Sequence, residues 1–449
     1  MGIGRRELLI GSLGFAIAAA AGPRGANARD AADNPQGFST YGLAPAGGDL
    51  DQTASLQLAA DEAAESGTPL FLPSGIYSTS RLTLKSGTQI EGVPGRSILR
   101  YREGDAILRM AQAENIRLAG LVLDGGAKPL PDDGALLAAT EIKHLDIANC
   151  RFLGSTKDGV VLRKVSGWVK DCEIGDISNA ALFSEDGGGL EIAHNHLHDC
   201  GDNGILVWRS AVGEDGTIVA SNRIERIAAK SGGSGQNGNA INVFRAGSVI
   251  VSGNRIADCA YSAIRSNSGS NCQMIGNSCA RLGEVALYAE FSFEGAVIAN
   301  NLVDTAATGI SVTNFNEGGR LAVVQGNLIR NLSFRKTAGT NGNGIAVEAD
   351  SVVSGNVIEN AQGYGIAAGW YAYLRDVSVT DNLIRNVHIG IAVSADPSAG
   401  MALITNNMIT GAKDGAIRAM NGPKPIGPDL AKDGASAYAN LAVYANVSR

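Results

Sequence analysis

At 449 residues and a formal charge of −7, the chain is long enough to bury a large core and too acidic for a nucleic-acid binder, which would carry a basic stripe. Glycine at 59 positions is about twice ordinary usage, and 45% hydrophobic with 18% charged residues excludes both a disordered chain and a coiled coil. Six cysteines over this length are too few to frame a disulfide scaffold.

The first predicted element is an export signal. Arg5 and Arg6 precede an apolar run over residues 8–21, and Ala26-Asn27-Ala28 supplies a small-residue cleavage motif. That run is about 14 residues, shorter than the ~20 needed to span a bilayer as a helix. Residues 1–28 are therefore expected to be a twin-arginine signal, read by the twin-arginine translocase and cleaved before Arg29. Cleavage removes three basic residues and one acidic residue, taking the charge from −7 to −9, and leaves no membrane anchor. A periplasmic or secreted mature protein follows.

Residues 29–110 are expected to hold a capping helix and the first coils. Leu56, Ala59, Ala60, Ala63 and Ala64 recur at helical spacing within residues 51–66, and Gly67 stops the pattern. Strand-like pieces follow around Leu70-Phe71-Leu72, Leu82-Thr83-Leu84 and Gln89-Ile90-Glu91.

Residues 111–422 repeat one phrase: alternating apolar residues, an asparagine, a second alternating piece, a turn, then Gly-Ile-x-Val. Aligned on the asparagine, the column reads Asn149, Asp171, Asn195, Asn222, Asn254, Asn277, Asn301, Asn327, Asn356, Asn382 and Asn407, with a mean spacing of about 26 residues. Period-two alternation makes each piece a strand with one inward face, and three such strands plus turns use up the spacing. The predicted fold is all-β: a parallel β-helix of about 12 coils with a short N-terminal capping helix. A leucine-rich repeat would need a Leu-x-x-Leu-x-Leu phrase that is absent. The asparagine is expected at a turn with φ > 0, stacking into an amide ladder that Asp171 interrupts. Residues 423–449 break the period and are expected to form a C-terminal cap.

Residues 41–92 resemble the opening segment of the pectate-lyase-like right-handed parallel β-helix superfamily. The twin arginines followed by asparagine-centred repeats also resemble a family of twin-arginine-exported repetitive bacterial proteins. The resemblance implies a right-handed coil and a carbohydrate ligand held along one parallel sheet.

Were Gly-Ile-x-Val that sheet, its outward positions would read Val161/Arg163, Leu182/Ser184, Leu206/Trp208, Asn242/Phe244, Arg265/Asn267, Ala286/Tyr288, Ser311/Thr313, Ala346/Glu348 and Ala392/Ser394. Trp208, Asn242, Phe244, Asn267 and Thr313 are the expected sugar-binding residues, because rings stack on pyranose faces and amides and hydroxyls bond sugar hydroxyls. Two long turns, residues 228–238 and 333–342, are expected to flank this stretch. Glu290 and Asp350 read as a carboxyl pair two coils apart, ~9.6 Å between backbones, with Glu348 able to replace Asp350 in an inverting hydrolase. A lyase or epimerase would instead use Arg265 to neutralise a uronate or to act as base, with Tyr288 and Asn267 in the adjacent coil.

Glu185-Asp186 and Glu214-Asp215 lie in successive turns and are candidate Ca²⁺ ligands; no cofactor is required by the chemistry. His194, His196 and His198 read as surface histidines without a fourth ligand. Cys150 and Cys172 share a column within disulfide reach, with packed or free thiols as the default. The function expected is an exported lyase, epimerase or hydrolase on an acidic or bacterial exopolysaccharide; the alternative is a glycan-binding or envelope-structural β-helix without catalysis.

Overall fold

Short alternating strands closed by turns leave the chain one way to bury every inward face, which is to wind and stack. The computed structural model describes residues 43–233, 235–335 and 341–449; the predicted export signal lies outside them. The chain forms a parallel β-solenoid of about 14 turns, two more than the sequence spacing gives, because residues 70–124 already wind as full turns. Each turn contributes to three sheets. Sheet A holds the Gly-Ile-x-Val strands, such as Ile264–Asn267 and Val285–Glu290. Sheet B holds strands such as Ile250–Ser252, and sheet C those such as Arg255–Cys259. Every strand pairs in parallel with its counterpart one turn on, apart from Lys424–Asp429, which pairs antiparallel with Ile417–Asn421.

The interior is a set of aliphatic stacks. Leu182, Ile205, Ile241, Ile264, Leu287, Ile310 and Ile345 follow one another in register and are fully buried. Burying each such side chain contributes about 1.5–3 kcal/mol.

The asparagine ladder sits inside this core, at the corner between sheets B and C. Each Nδ2 donates to the next Oδ1 from Asn195 through Asn222, Asn254, Asn277, Asn301, Asn327, Asn356, Asn382 and Asn407, at 2.9–3.1 Å. Each Oδ1 from Asn222 onward also accepts the preceding asparagine's backbone N–H. Three points of the sequence reading change. The left-handed residue is the one before the ladder asparagine, as at His194, Ser221, Gly253 and Gly276. Asn149 and Asp171 occupy that preceding column, so Cys150 and Cys172 stand in the ladder column, and Cys172 N–H donates to Asn195 Oδ1 at 2.9 Å. Asn446, read as part of the cap, extends the ladder, accepting from Asn407 at 2.9 Å.

The helix Thr53–Ser66 covers the first turn with Leu56, Ala59, Ala60 and Ala63 and ends at left-handed Gly67. Gln57 replaces a missing strand for Leu82–Leu84, donating to Thr83 O and accepting from Thr83 N, both at 2.8 Å. At the far end the hairpin and the helix Leu430–Asp433 cover sheet A, while Leu441–Tyr444 and Val447–Ser448 add last strands to sheets B and C.

Candidate functional site

The outward face of sheet A carries two columns. One runs Val161, Phe183, Leu206, Asn242, Arg265, Tyr288, Ser311 and Ala346; the other begins Arg163, Glu185, Trp208, Phe244, Asn267 and Glu290. Two rungs differ from the sequence reading. Leu182 and Ser184 point inward, so Phe183 and Glu185 face out; Tyr288 stands beside Arg265, not beside Asn267. The cause is the same in both turns. Ala181-Leu182 and Ala286-Leu287 replace Gly-Ile, so the inward anchor lies where the phrase gave no marker.

Trp208, Asn242, Phe244, Arg265, Asn267 and Phe291 line a cleft of about 430 Å³, closed on one side by Gly235 and Gln236 of the long turn over residues 228–238. Backbone carbonyls pin that turn: Gly235 O accepts from Asn239 Nδ2 at 2.8 Å, and Gln236 O accepts from Asn203 and Asn242 at 3.2 and 3.3 Å. Trp208 packs edge-on to Phe183 and tilted against Phe244, with ring centroids 5.4 and 5.5 Å apart. Nothing in the repeat signalled Phe291, which lines the cleft from a left-handed corner after the strand.

Arg265 forms the cleft floor, nine-tenths buried. Its Nε donates to Glu290 Oε1 at 2.6 Å, its Nη1 lies 3.5 Å from Glu284, and its guanidinium lies 5.2 Å from the Tyr288 ring centre. Burial works against its charge, but Glu290 and Glu284 together hold its pKa above the ordinary arginine value. Glu290 Oε1 also accepts from Asn267 at 3.1 Å. Burial pushes the Tyr288 hydroxyl up to about 12, and partial burial also raises the pKa of Glu284, with Glu290 adding to the effect.

Glu348 follows inward Val347 on the strand partnered with that of Ser311 and Thr313, so it faces outward two turns beyond Glu290, ~9.6 Å along the stack. It accepts the Phe315 N–H at 2.7 Å, and burial raises its pKa. With Thr313, Tyr364 and Trp370 it lines a second cleft, of about 170 Å³, beside Asn341 and Asn343 at the end of the second long turn. Asp350 does not join this pair. It sits with φ 47 past the sheet A strand, held by Arg375 at 2.6 and 2.8 Å and by Arg320 at 3.1 Å, and its pKa is lowered by these partners, Arg375 first.

The candidate Ca²⁺ ligands do not converge. A register shift after Trp208 sets Glu185 beside Trp208 and Glu214 beside Gly247, so the two acidic turns do not stack. Glu185 pairs with Arg163 at 3.0 Å, Asp186 accepts from Ser210 Oγ at 2.9 Å, and Asp215 accepts from Thr217 N at 3.2 Å. No cluster of three or more metal-ligating side chains occurs among the described residues. His196 and His198 face Glu225, Glu173 and Asp199. All six cysteines are buried free thiols.

A family model described as right handed beta helix region matches residues 77–224 and 212–375. The chain belongs to this right-handed β-helix family. No curated protein sequence matches it. Among solved structures it is similar to the N-terminal fragment of bacteriophage phi29 gene product 12, with TM-score 0.62 and 14% identity over 92% of this chain and 70% of that one. It is also similar to PfbA, a surface adhesin of Streptococcus pneumoniae (TM-score 0.50, 15% identity, 92% and 99% covered). A mannuronic acid specific polysaccharide family 6 lyase from human gut microbiota gives TM-score 0.50 at 12% identity, with 84% and 91% covered. At these identities the likeness is one of fold.

Proposed function

We propose that this β-helix protein is an exported polysaccharide hydrolase that lays a glycan along sheet A and cleaves it with inversion between Glu348 and Glu290. The observation that carries the reading is the placement of both carboxyls in one outward column, two turns apart: Glu290 behind Arg265 and Asn267 of the cleft walled by Trp208, Phe244 and Phe291, and Glu348 in the second cleft. An inverting pair needs about 6.5–9.5 Å between carboxyl groups to admit a water, and two strand spacings set the two backbones ~9.6 Å apart, at the upper edge of that range. Glu348, with its pKa raised by burial, protonates the leaving glycosidic oxygen. Glu290, positioned by Arg265 and Asn267, takes a proton from the water that attacks the anomeric carbon. Ser311 and Thr313 stand on the turn between them, and Tyr288 on the turn of Glu290 itself, to orient sugar hydroxyls.

A lyase or epimerase is less well supported, because Arg265 is already engaged by two carboxylates. Binding without turnover is the second reading: Glu290 Oε1 already receives two donors, as a purely structural acid would. The experiment is reducing-end release from a polysaccharide panel by the mature chain, with Glu348→Gln and Glu290→Gln each expected to lower the rate about 10²–10⁴-fold. Retained glycan binding without any new reducing ends in the unsubstituted chain establishes the second reading instead.

A further inference from the structure

Whether the groove takes a charged or an uncharged chain is decided by what its cations already touch. Among the described residues, the two outward columns of sheet A carry four guanidiniums, Arg109, Arg163, Arg265 and Arg418, and at the first turn Lys85, one residue past Leu84 and 3.0 Å from Asp61. Every one has a carboxylate partner. Arg109 meets Asp105, Arg163 lies 3.0 Å from Glu185, and Arg418 lies 3.6 Å from Asp414. Arg265 faces two carboxylates, Glu290 and Glu284. Glu348, which accepts the Phe315 N–H, adds no cation, and the acidic surplus lies at Arg265, one guanidinium between two carboxyls. One residue beyond the second column, Arg245 lies over the Phe244 ring and donates to Ser210 O, and Arg209 lies 3.9 Å from Asp215.

A polyuronate would bring a negative charge on every residue into a trough whose cations are spent and whose surplus is acidic. Like charges brought together in a partly desolvated cleft oppose binding strongly. The groups left over suit oxygen atoms without charge. Trp208 Nε1 is a buried donor with no hydrogen-bond partner, and Arg265 Nη1 has only its 3.5 Å ion contact with Glu284; both residues line the same cleft. An unmet buried donor favours a ligand acceptor that supplies the bond. Asn242 and Asn267 add amides that can both donate and accept.

We infer that the groove selects an uncharged polysaccharide, built of neutral or N-acylated sugars, and rejects polyuronates. This rests on the glycan reading of sheet A, not on cleavage. The test is affinity electrophoresis of the full mature chain, as Glu348→Gln so that bound chains persist, at low and high salt. The probes are soluble neutral glucan, galactan and mannan and an N-acetylated chain, set against polygalacturonate and alginate. Expected is retention by at least one uncharged chain, about tenfold or more above either polyuronate and nearly independent of salt. Polyuronate retention that weakens with salt overturns the inference, and so does retention by neither class. A second variant, Glu185→Gln, frees Arg163 at a half-exposed pair and is expected to create salt-sensitive polyuronate retention; continued exclusion counts against the role given to paired cations. The two readings fail separately. Uncharged chains bound but never cut refute hydrolysis alone, whereas cleavage of a polyuronate upholds hydrolysis and refutes this selectivity.

Discussion

Glu348 joins an acidic function to a buried place, and that pairing has a pH signature. Its pKa is raised in the folded chain by burial, so the protonated form is the one folding favours. The stability this contributes is complete below the unfolded carboxyl value and is lost as pH rises through the folded one. Glu348→Gln mimics the protonated form, so its melting temperature should exceed that of the unsubstituted chain by ~1–2 °C at neutral pH and match it in acid. Thermal melts across pH check this, and the alkaline limb of the rate profile should fall through the same raised value. Gly235 makes a different demand. It adopts φ +126, and a Cβ there would overlap the Arg265 guanidinium. Gly235→Ala is expected to weaken glycan binding about tenfold and, because alanine is strained at that φ, to lower the melting temperature by ~1–2 °C, as titration calorimetry beside a thermal melt would show.

The ladder and the strand columns account for what could and could not be read beforehand. Removing one rung, Asn277→Ala, leaves Asn254 N–H, Asn254 Nδ2 and Val251 O short of a buried partner, and is expected to cost about 2–4 kcal/mol in denaturant unfolding. The repeat period, the inward aliphatic face and most of the ladder were legible because each inward position recurs with the same residue type. The frame at Asn149 and Asp171 was not, since asparagine also suits the left-handed site just before the rung, as Asn300 and Asn406 do. The site was legible in part. Trp208, Asn242, Phe244, Arg265 and Asn267 gather as their spacing required, because Asn203 to Trp208, Asn239 to Phe244 and Ile264 to Asn267 pair in register. Asp350 was misplaced because corner lengths vary while strand lengths do not, and counting through a corner cannot show which side of it a residue occupies. Phe291 escaped for the same reason.

Taken whole, the molecule is a stacked solenoid whose neighbouring turns set side chains ~4.8 Å apart, and on the proposed reading a long glycan would meet a pre-arranged row of partners. Such a row is useful only where polysaccharide is, which is why the amino-terminal arginines matter to the account. Replacing Arg5 and Arg6 with lysine is expected to hold the protein in the cytoplasm, as cell fractionation would show. The claim on which the functional account turns is that Glu290 and Glu348 flank a scissile glycosidic bond with room for a water between them. The most direct test is proton NMR of the first sugar released from a cleaved uncharged polysaccharide, recorded before mutarotation. Inversion of the anomeric centre, lost in both Glu290→Gln and Glu348→Gln, is the result predicted; retention, or an unsaturated end from elimination, would contradict it.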